Sequence, residues 1–165
     1  MRNSISYRRI DCNSDPALDE VAKMFAELYE YVSDKGQQNL MVKDGEKLWI
    51  ESVKRSLNKM SVIIIAEEKS KVIGFIHGII RFLPDFLGGE KTGFIAHHYI
   101  GHNHRGIGVG RKLLGEVEKW LVSRGVMQSE AYVNIGNVNS KQYFEKNGYT
   151  HEIIQLRKFL SGKRS

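Results

Sequence analysis

A chain of 165 residues is long enough for one domain with a substantial core and short for several. Apolar residues at 41%, charged residues at 27% and only 2 prolines exclude a disordered or low-complexity chain. Lys and Arg (25) outnumber Asp and Glu (19), and the net charge of +6 points to an anionic partner without choosing between nucleic acid, a phosphorylated cofactor and an acidic substrate.

Cys12 is the only cysteine, which excludes an internal disulfide framework and a Cys-rich zinc site and fits a reduced, cytoplasmic setting. Arg2, Arg8, Arg9 and Asp11 break up the N-terminus before a signal-like apolar stretch builds. The densest apolar run, Val62–Ala66, is far too short for a membrane span.

Ser4–Ile10 reads as a short opening strand. Ser14 or Asp15 offers an N-cap with Pro16 in the first turn, and Leu18, Val21, Ala22, Phe25, Leu28 and Tyr29 follow at helical spacing to about Val32. Gly36–Val42 is a loop, and a second helix is predicted over Gly45–Leu57. The period then changes: Ser61–Glu67, a turn at Lys69–Lys71, and Val72–Phe82 form a hairpin. Leu83–Lys91 is a loop whose Leu83, Phe86 and Leu87 favour folding back on the core over an apolar flap or dimer contact.

Thr92–Ile100 is the next strand. Ile107–Arg124 is the strongest helix, with Val109, Leu113, Leu114, Val117, Trp120 and Leu121 on one face and Gly125 as its stop. A short strand around Ala131–Val133, a helix over Asn139–Asn147 and a last strand over Tyr149–Phe159 complete one mixed α/β domain, residues 1–165. The basic end (Arg157, Lys158, Lys163, Arg164) reads as solvated.

Chemistry concentrates between the fourth strand and the strong helix. Gly101, Gly106, Gly108 and Gly110 let the backbone turn and present its N–H groups, and the positive end of the helix dipole sits beside them, so the turn is a phosphate cradle. Arg105, Arg111 and Lys112 stand at a helix start, where the dipole disfavours cations unless an anion lies between them. The Walker pattern is absent, and the dinucleotide fingerprint fails because Arg111 follows Gly110.

Arg105-x-x-Gly108-x-Gly110 resembles the pyrophosphate loop of the GNAT superfamily of CoA-dependent N-acetyltransferases, which reads Gln or Arg, two residues, Gly, one residue, then Gly or Ala. Asn137-x-x-Ser140-x-x-x-Phe144-x-x-x-Gly148-Tyr149 resembles that superfamily's second signature, in which Tyr usually stands where Phe144 does. The resemblance implies a mostly antiparallel sheet splayed between its fourth and fifth strands and flanked by about four helices. It implies acetyl-CoA as cosubstrate, an amine acceptor, and a monomer or homodimer, while the residues themselves point to no metal, nucleic acid or membrane partner. Arg105, Gly106, Ile107, Gly108, Val109, Gly110 and Arg111 are expected at the pyrophosphate. Ile100 N–H is expected at the thioester carbonyl, Asn137 at the pantetheine arm and Phe144 nearby.

Two chemical positions depart from that pattern. The fourth strand carries Ala96, His97 and His98 where an acid is common, so one of the two histidines is the candidate base. Adjacent strand residues face opposite ways, and only one of them should face the acceptor. Phe144 cannot protonate a departing thiolate, and Tyr143 is about 100° away around the helix. These departures keep a CoA-binding module without turnover as the alternative. The cluster His97, His98, His102 and His104 invites a metal reading, disfavoured because the first two diverge. Tyr7, Tyr29, Tyr31 and Trp49 are acceptor-pocket candidates, with a core role favoured.

Overall fold

Five strands and four helices make up the computed structural model, which describes residues 4–161. They are β1 (Ile5–Arg9), α1 (Ala17–Val32), α2 (Gly45–Ser56), β2 (Ser61–Glu68), β3 (Lys71–Phe82), β4 (Lys91–Ile100), α3 (Val109–Ser123), β5 (Ser129–Ala131) and α4 (Val138–Lys146). The sheet runs in the order β1-β2-β3-β4-β5. Its first three pairings are antiparallel and the last, β4 with β5, is parallel. A parallel pair needs a crossover, and α3 provides it.

The sheet separates two cores. Val62, Ile64, Ile76, Ile80 and Ile95 meet Leu113, Val117 and Leu121 of α3 on one face. Ile63, Ile65 and Phe75 meet Leu18, Val21, Phe25, Ile50 and Val53 of α1 and α2 on the other. Covered on both sides, β2 reads as an unbroken β-branched run instead of an alternation. Gly78 and Gly93 let α3 lie close to the sheet: a Cβ on Gly93 would sit 2.6 Å from Leu121 Cδ1, and one on Gly78 would clash with Val117.

Asp15 starts α1 by accepting from Ala17 N–H (3.0 Å), with Pro16 beside it as expected. Arg8 bonds both Asp15 (2.6 Å) and Glu67 (3.0 Å), tying β1, β2 and the start of α1 together.

Three expectations are corrected. Tyr149–Phe159 forms no strand: the segment is irregular and exposed after Tyr149, for among the described residues β5 takes up no neighbour on its outer edge. The Leu83–Lys91 loop does not fold back on the core; a 3-10 turn over Asp85–Leu87 holds Phe86 86% exposed. The fifth strand lies over Ser129–Ala131, two residues earlier than expected, because Gly93 N–H bonds Gln128 O and sets the parallel register. Lys163 and Arg164 lie outside the described residues.

Candidate active site between two diverging strands

Strands β4 and β5 pair only over Gly93–Ile95 with Ser129–Ala131. From there β4 runs on to Ile100 against β3 alone, so its other edge opens onto a gap. Gly101 N–H bonds Ile73 O (2.9 Å) across to β3. Successive N–H groups of a strand alternate in direction, so the Ile100 and His98 N–H groups point into the gap.

At the end of β4, Gly106 (φ 77°) and Gly108 (φ 93°) hold left-handed backbone that a residue with a Cβ rarely adopts. The turn delivers α3 with its N-terminus toward the gap. Among the described residues, the backbone N–H groups of Gly106, Ile107, Gly108, Val109, Gly110 and Arg111 reach no protein acceptor; the next, Lys112 N–H, bonds Gly108 O at 3.1 Å. Six consecutive free donors at a helix start fit a pyrophosphate.

The cations around this nest are not equivalent. Arg105 turns away from it: its Nε donates to Ile100 O (2.9 Å), and its guanidinium lies 4.9 Å from the Tyr31 ring and 5.3 Å from the Tyr99 ring. Its job here is to hold the end of β4. Lys112 pairs with Glu116 (3.2 Å). Arg111 is exposed and forms no ion pair among the described residues, which leaves it available to an anion.

The two histidines take opposite faces, as alternation demands. A bulge helps to place them: Gly78 faces Ile95 while His77 faces His97, so Ala96 is the extra residue. His98 points to the α3 side. Its Nε2 is buried without a partner among the described residues, and its ring meets Tyr143 edge-on at 5.2 Å. A Cβ on Gly110 would touch both rings, at 3.4 Å and 3.5 Å.

His97 points to the α1–α2 side, walled by Phe25 (4.9 Å) and Trp49 (5.3 Å) edge-on and by Tyr29 (6.3 Å). Its Nδ1 lies 3.2 Å from Nδ1 of His77. The ring centres are 5.5 Å apart with planes 6° from parallel. With the nitrogens so close, this is an edge-to-edge N–H···N bond and not a face-to-face stack. Burial pushes all three imidazoles down: His97 and His98 to about 4, and His77 to about 3, where the neighbouring His97 adds like-charge repulsion. All three are neutral at pH 7.

Three ring nitrogens of the His77–His97 pair are therefore occupied or enclosed: the two Nδ1 atoms by each other, and His77 Nε2 by burial. His97 Nε2 is left open. His77 escaped the sequence reading because it sits inside an apolar strand; its signal was a lone polar residue between Ile76 and Gly78.

On α4, Asn137 is buried at the N-cap, its Oδ1 accepting from Ser140 N–H (3.2 Å). Phe144 packs between Tyr143 (5.2 Å) and Tyr149 (5.0 Å). Tyr149 hydroxyl bonds Ser129 Oγ (2.7 Å), whereas the Tyr143 hydroxyl is buried with no partner among the described residues, and burial raises its pKa. The acceptor-pocket candidates divide: Tyr29 and Trp49 line the His97 side, Tyr31 carries Arg105, and Tyr7 packs on the opposite core.

Among the described residues no group of three metal-ligating side chains converges, and no helix is long and apolar enough to cross a membrane.

The sequence profile described as "Acetyltransferase (GNAT) family" matches residues 18–149. The fold is similar to an aminoglycoside N-acetyltransferase solved with CoA (TM-score 0.76, 17% identity, 96% of this chain and 97% of that one). It is also similar to a putative acetyl transferase from Pyrococcus furiosus (TM-score 0.72, 19% identity, 95% and 100%). A third similar structure is glucosamine-6-phosphate N-acetyltransferase from Arabidopsis thaliana (TM-score 0.66, 19% identity, 96% and 99%). No curated protein matches the sequence.

Proposed function

Because this chain belongs to the GNAT acetyltransferase family, whose members are acetyl-CoA-dependent N-acetyltransferases, we propose that it moves an acetyl group from acetyl-CoA to a primary amine on a small molecule by direct attack on the thioester. The observation that carries the reading is the run of six unpaired N–H groups from Gly106 to Arg111 beside the β4–β5 gap.

In this reading the α3 nest and Arg111 hold the pyrophosphate, and the pantetheine arm lies in the gap past Asn137. The Ile100 or His98 N–H faces the thioester carbonyl. As the amine nitrogen bonds the carbonyl carbon, negative charge grows on the oxygen, and a fixed donor stabilises it without reorganising. Holding both reactants in one cleft supplies the orientation.

His97 takes the amine proton at its open Nε2. For that it must carry its own proton on Nδ1 and donate it to His77 Nδ1, so His77 is a positioning residue that sets the tautomer. Collapse breaks the C–S bond, and the CoA thiolate takes a proton. Tyr143, whose hydroxyl has no protein partner, supplies it in place of the hydroxyl that Phe144 lacks.

The acceptor side is the face that carries His97. Arg81 and Phe94 share it through the pairing of Ile79 with Phe94 and His77 with His97. The Arg81 guanidinium lies 3.4 Å from the Phe94 ring and 5.9 Å from exposed Tyr132. The carboxylate on this strip, Glu130, already faces Arg81 at 3.5 Å, so the strip suits the ring of a neutral or anionic amine, such as an amino sugar, better than a polycation. One of the similar structures is named for an anionic amino sugar, glucosamine-6-phosphate.

Thiol release from acetyl-CoA is the test, run across a panel of amino sugars, arylalkylamines, polyamines and peptide amines. Turnover on amino sugars supports the reading. Tight CoA binding with no turnover on any amine would instead support a CoA-binding module.

A further inference from the structure

Two polar atoms on the α3 side of the sheet are left over by the hydrogen-bond network. His98 Nε2 and the Tyr143 hydroxyl are both buried, and neither has a partner among the described residues. Their rings meet edge-on with centres 5.2 Å apart. Gly110 of α3 leaves the space they share, since a Cβ there would touch His98 at 3.4 Å and Tyr143 at 3.5 Å. Buried polar groups are seldom left unpaired, and two in contact mark a task beyond holding the fold. The neighbouring Tyr149 hydroxyl is committed: it donates to Glu118 Oε1 (3.3 Å) and so accepts from Ser129 Oγ (2.7 Å).

In the proposed acetyl transfer, Tyr143 gives its proton to the sulfur as the C–S bond breaks. An ordinary phenol, at about 10, is no stronger an acid than an alkyl thiol. Burial, with the Glu118 carboxylate nearby, pushes the Tyr143 hydroxyl up further, and Arg111 offsets only part of this. The transfer therefore runs uphill unless a hydrogen-bond donor reaches the phenolate oxygen that it leaves behind.

We propose that His98 is the positioning residue of this acid half of the reaction: its Nε2–H bonds the Tyr143 oxygen and stabilises the phenolate formed there. The His98 ring torsion is soft, so Nε2 can swing onto the hydroxyl without a change of backbone. The step balances. The Tyr143 proton passes to sulfur as the C–S bond breaks, the O–H electron pair stays on the phenolate oxygen, and His98 keeps its own proton. Water entering the gap after product release returns a proton to Tyr143, and hydroxide leaves to solvent. His97 and His98 then serve one proton each from opposite faces of β4: one accepts from the amine, the other supports delivery to the thiolate. The inference rests on the proposed acetyl transfer but not on which amine is taken.

Imidazole nitrogen NMR of the ligand-free chain and kinetics of paired variants test the proposal. The expected spectrum places the His98 hydrogen on Nε2; a hydrogen on Nδ1 overturns the proposal whether or not the chain turns over. In turnover, His98→Leu is expected to lower kcat by about 10-fold with the KM for acetyl-CoA unchanged. His98→Gln, whose amide can donate from the place of Nε2, should recover most of that loss. In a Tyr143→Phe background His98→Leu should cost no more than about 2-fold, because the phenolate it serves is gone. Equal losses in both backgrounds, or no rescue by His98→Gln, overturn the proposal and make His98 a packing residue, while acetyl transfer by the parent stands. A parent that binds CoA without turnover on any amine overturns the acetyl-transfer reading and this inference together.

Discussion

His97 and His77 divide one task between two rings. Deleting the base should cost more than deleting the group that orients it: His97→Ala is expected to lower kcat by about 10²–10⁴-fold, the usual worth of general-base catalysis. His77→Leu leaves His97 Nδ1 without an acceptor and should lower kcat by about 10-fold, with His77→Asn restoring part of it because an amide oxygen accepts from Nδ1. Burial holds His97 near 4, so the acid limb of the kcat–pH profile should lie well below the ordinary histidine range. His77→Leu should shift that limb by removing its neighbour. A limb at ordinary histidine values, or parental kinetics in His97→Ala, would assign the base elsewhere. Tyr143 separates chemistry from packing in the same way. Its hydroxyl is buried with no protein partner, so Tyr143→Phe should leave the melting temperature unchanged or raised. If that hydroxyl protonates the thiolate, kcat falls by about 10-fold; unchanged turnover would make Tyr143 a core residue.

At the scale of elements, the turn before α3 is held open by backbone conformation and not by crowding. A Cβ on Gly108 would meet nothing within 4 Å, but its φ of 93° is hostile to a β-branched residue. Gly108→Val should therefore cost about 1–3 kcal/mol of backbone strain or flatten the nest. Calorimetric titration should then show CoA affinity reduced by at least about 10-fold, while Gly115→Ala on the same helix leaves it unchanged. Retained affinity in Gly108→Val would remove the nest from the binding site. This turn was legible in the sequence because glycines at a strand-to-helix junction have a local cause. The order of elements through α4 was legible for the same reason: each has its own period, caps and breakers. What was hidden depends on partners far apart in the chain. The His77–His97 bond follows from a bulge at Ala96 in a hairpin register, and Arg105 is drawn off the nest by Ile100 O. Tyr149–Phe159 has the alternation of a strand but no neighbour in its own subunit, and alternation alone cannot supply one.

For the molecule as a whole, the buried imidazoles link folding to pH. His77, His97 and His98 sit between the sheet and its two helical layers, neutral because burial lowers their pKa values to between about 3 and about 4. In the unfolded chain each returns to about 6.5. Between those limits the unfolded state binds more protons than the folded one, so stability is complete above about 6.5 and is lost as the pH falls toward the folded values. The slope is at most about 1.4 kcal/mol per pH unit for each histidine. Replacing His77 by Leu removes one titrating group and an unpaired buried nitrogen together, so the variant's stability should fall less steeply with pH than the parent's. Urea midpoints at pH 7 and pH 5 measure this directly. The parent should lose more than His77→Leu, by up to about 2 kcal/mol. Equal losses would mean that His77 is already protonated, or open to water, in the folded protein. Asp15 acts in the same direction at lower pH, because its bond to the Arg8 guanidinium holds its carboxyl below the usual range. Its contribution is present above about 3.9 and disappears as that carboxylate is protonated. Acid should therefore loosen the histidine layer first and the Arg8–Asp15 tie between β1 and α1 only at lower pH.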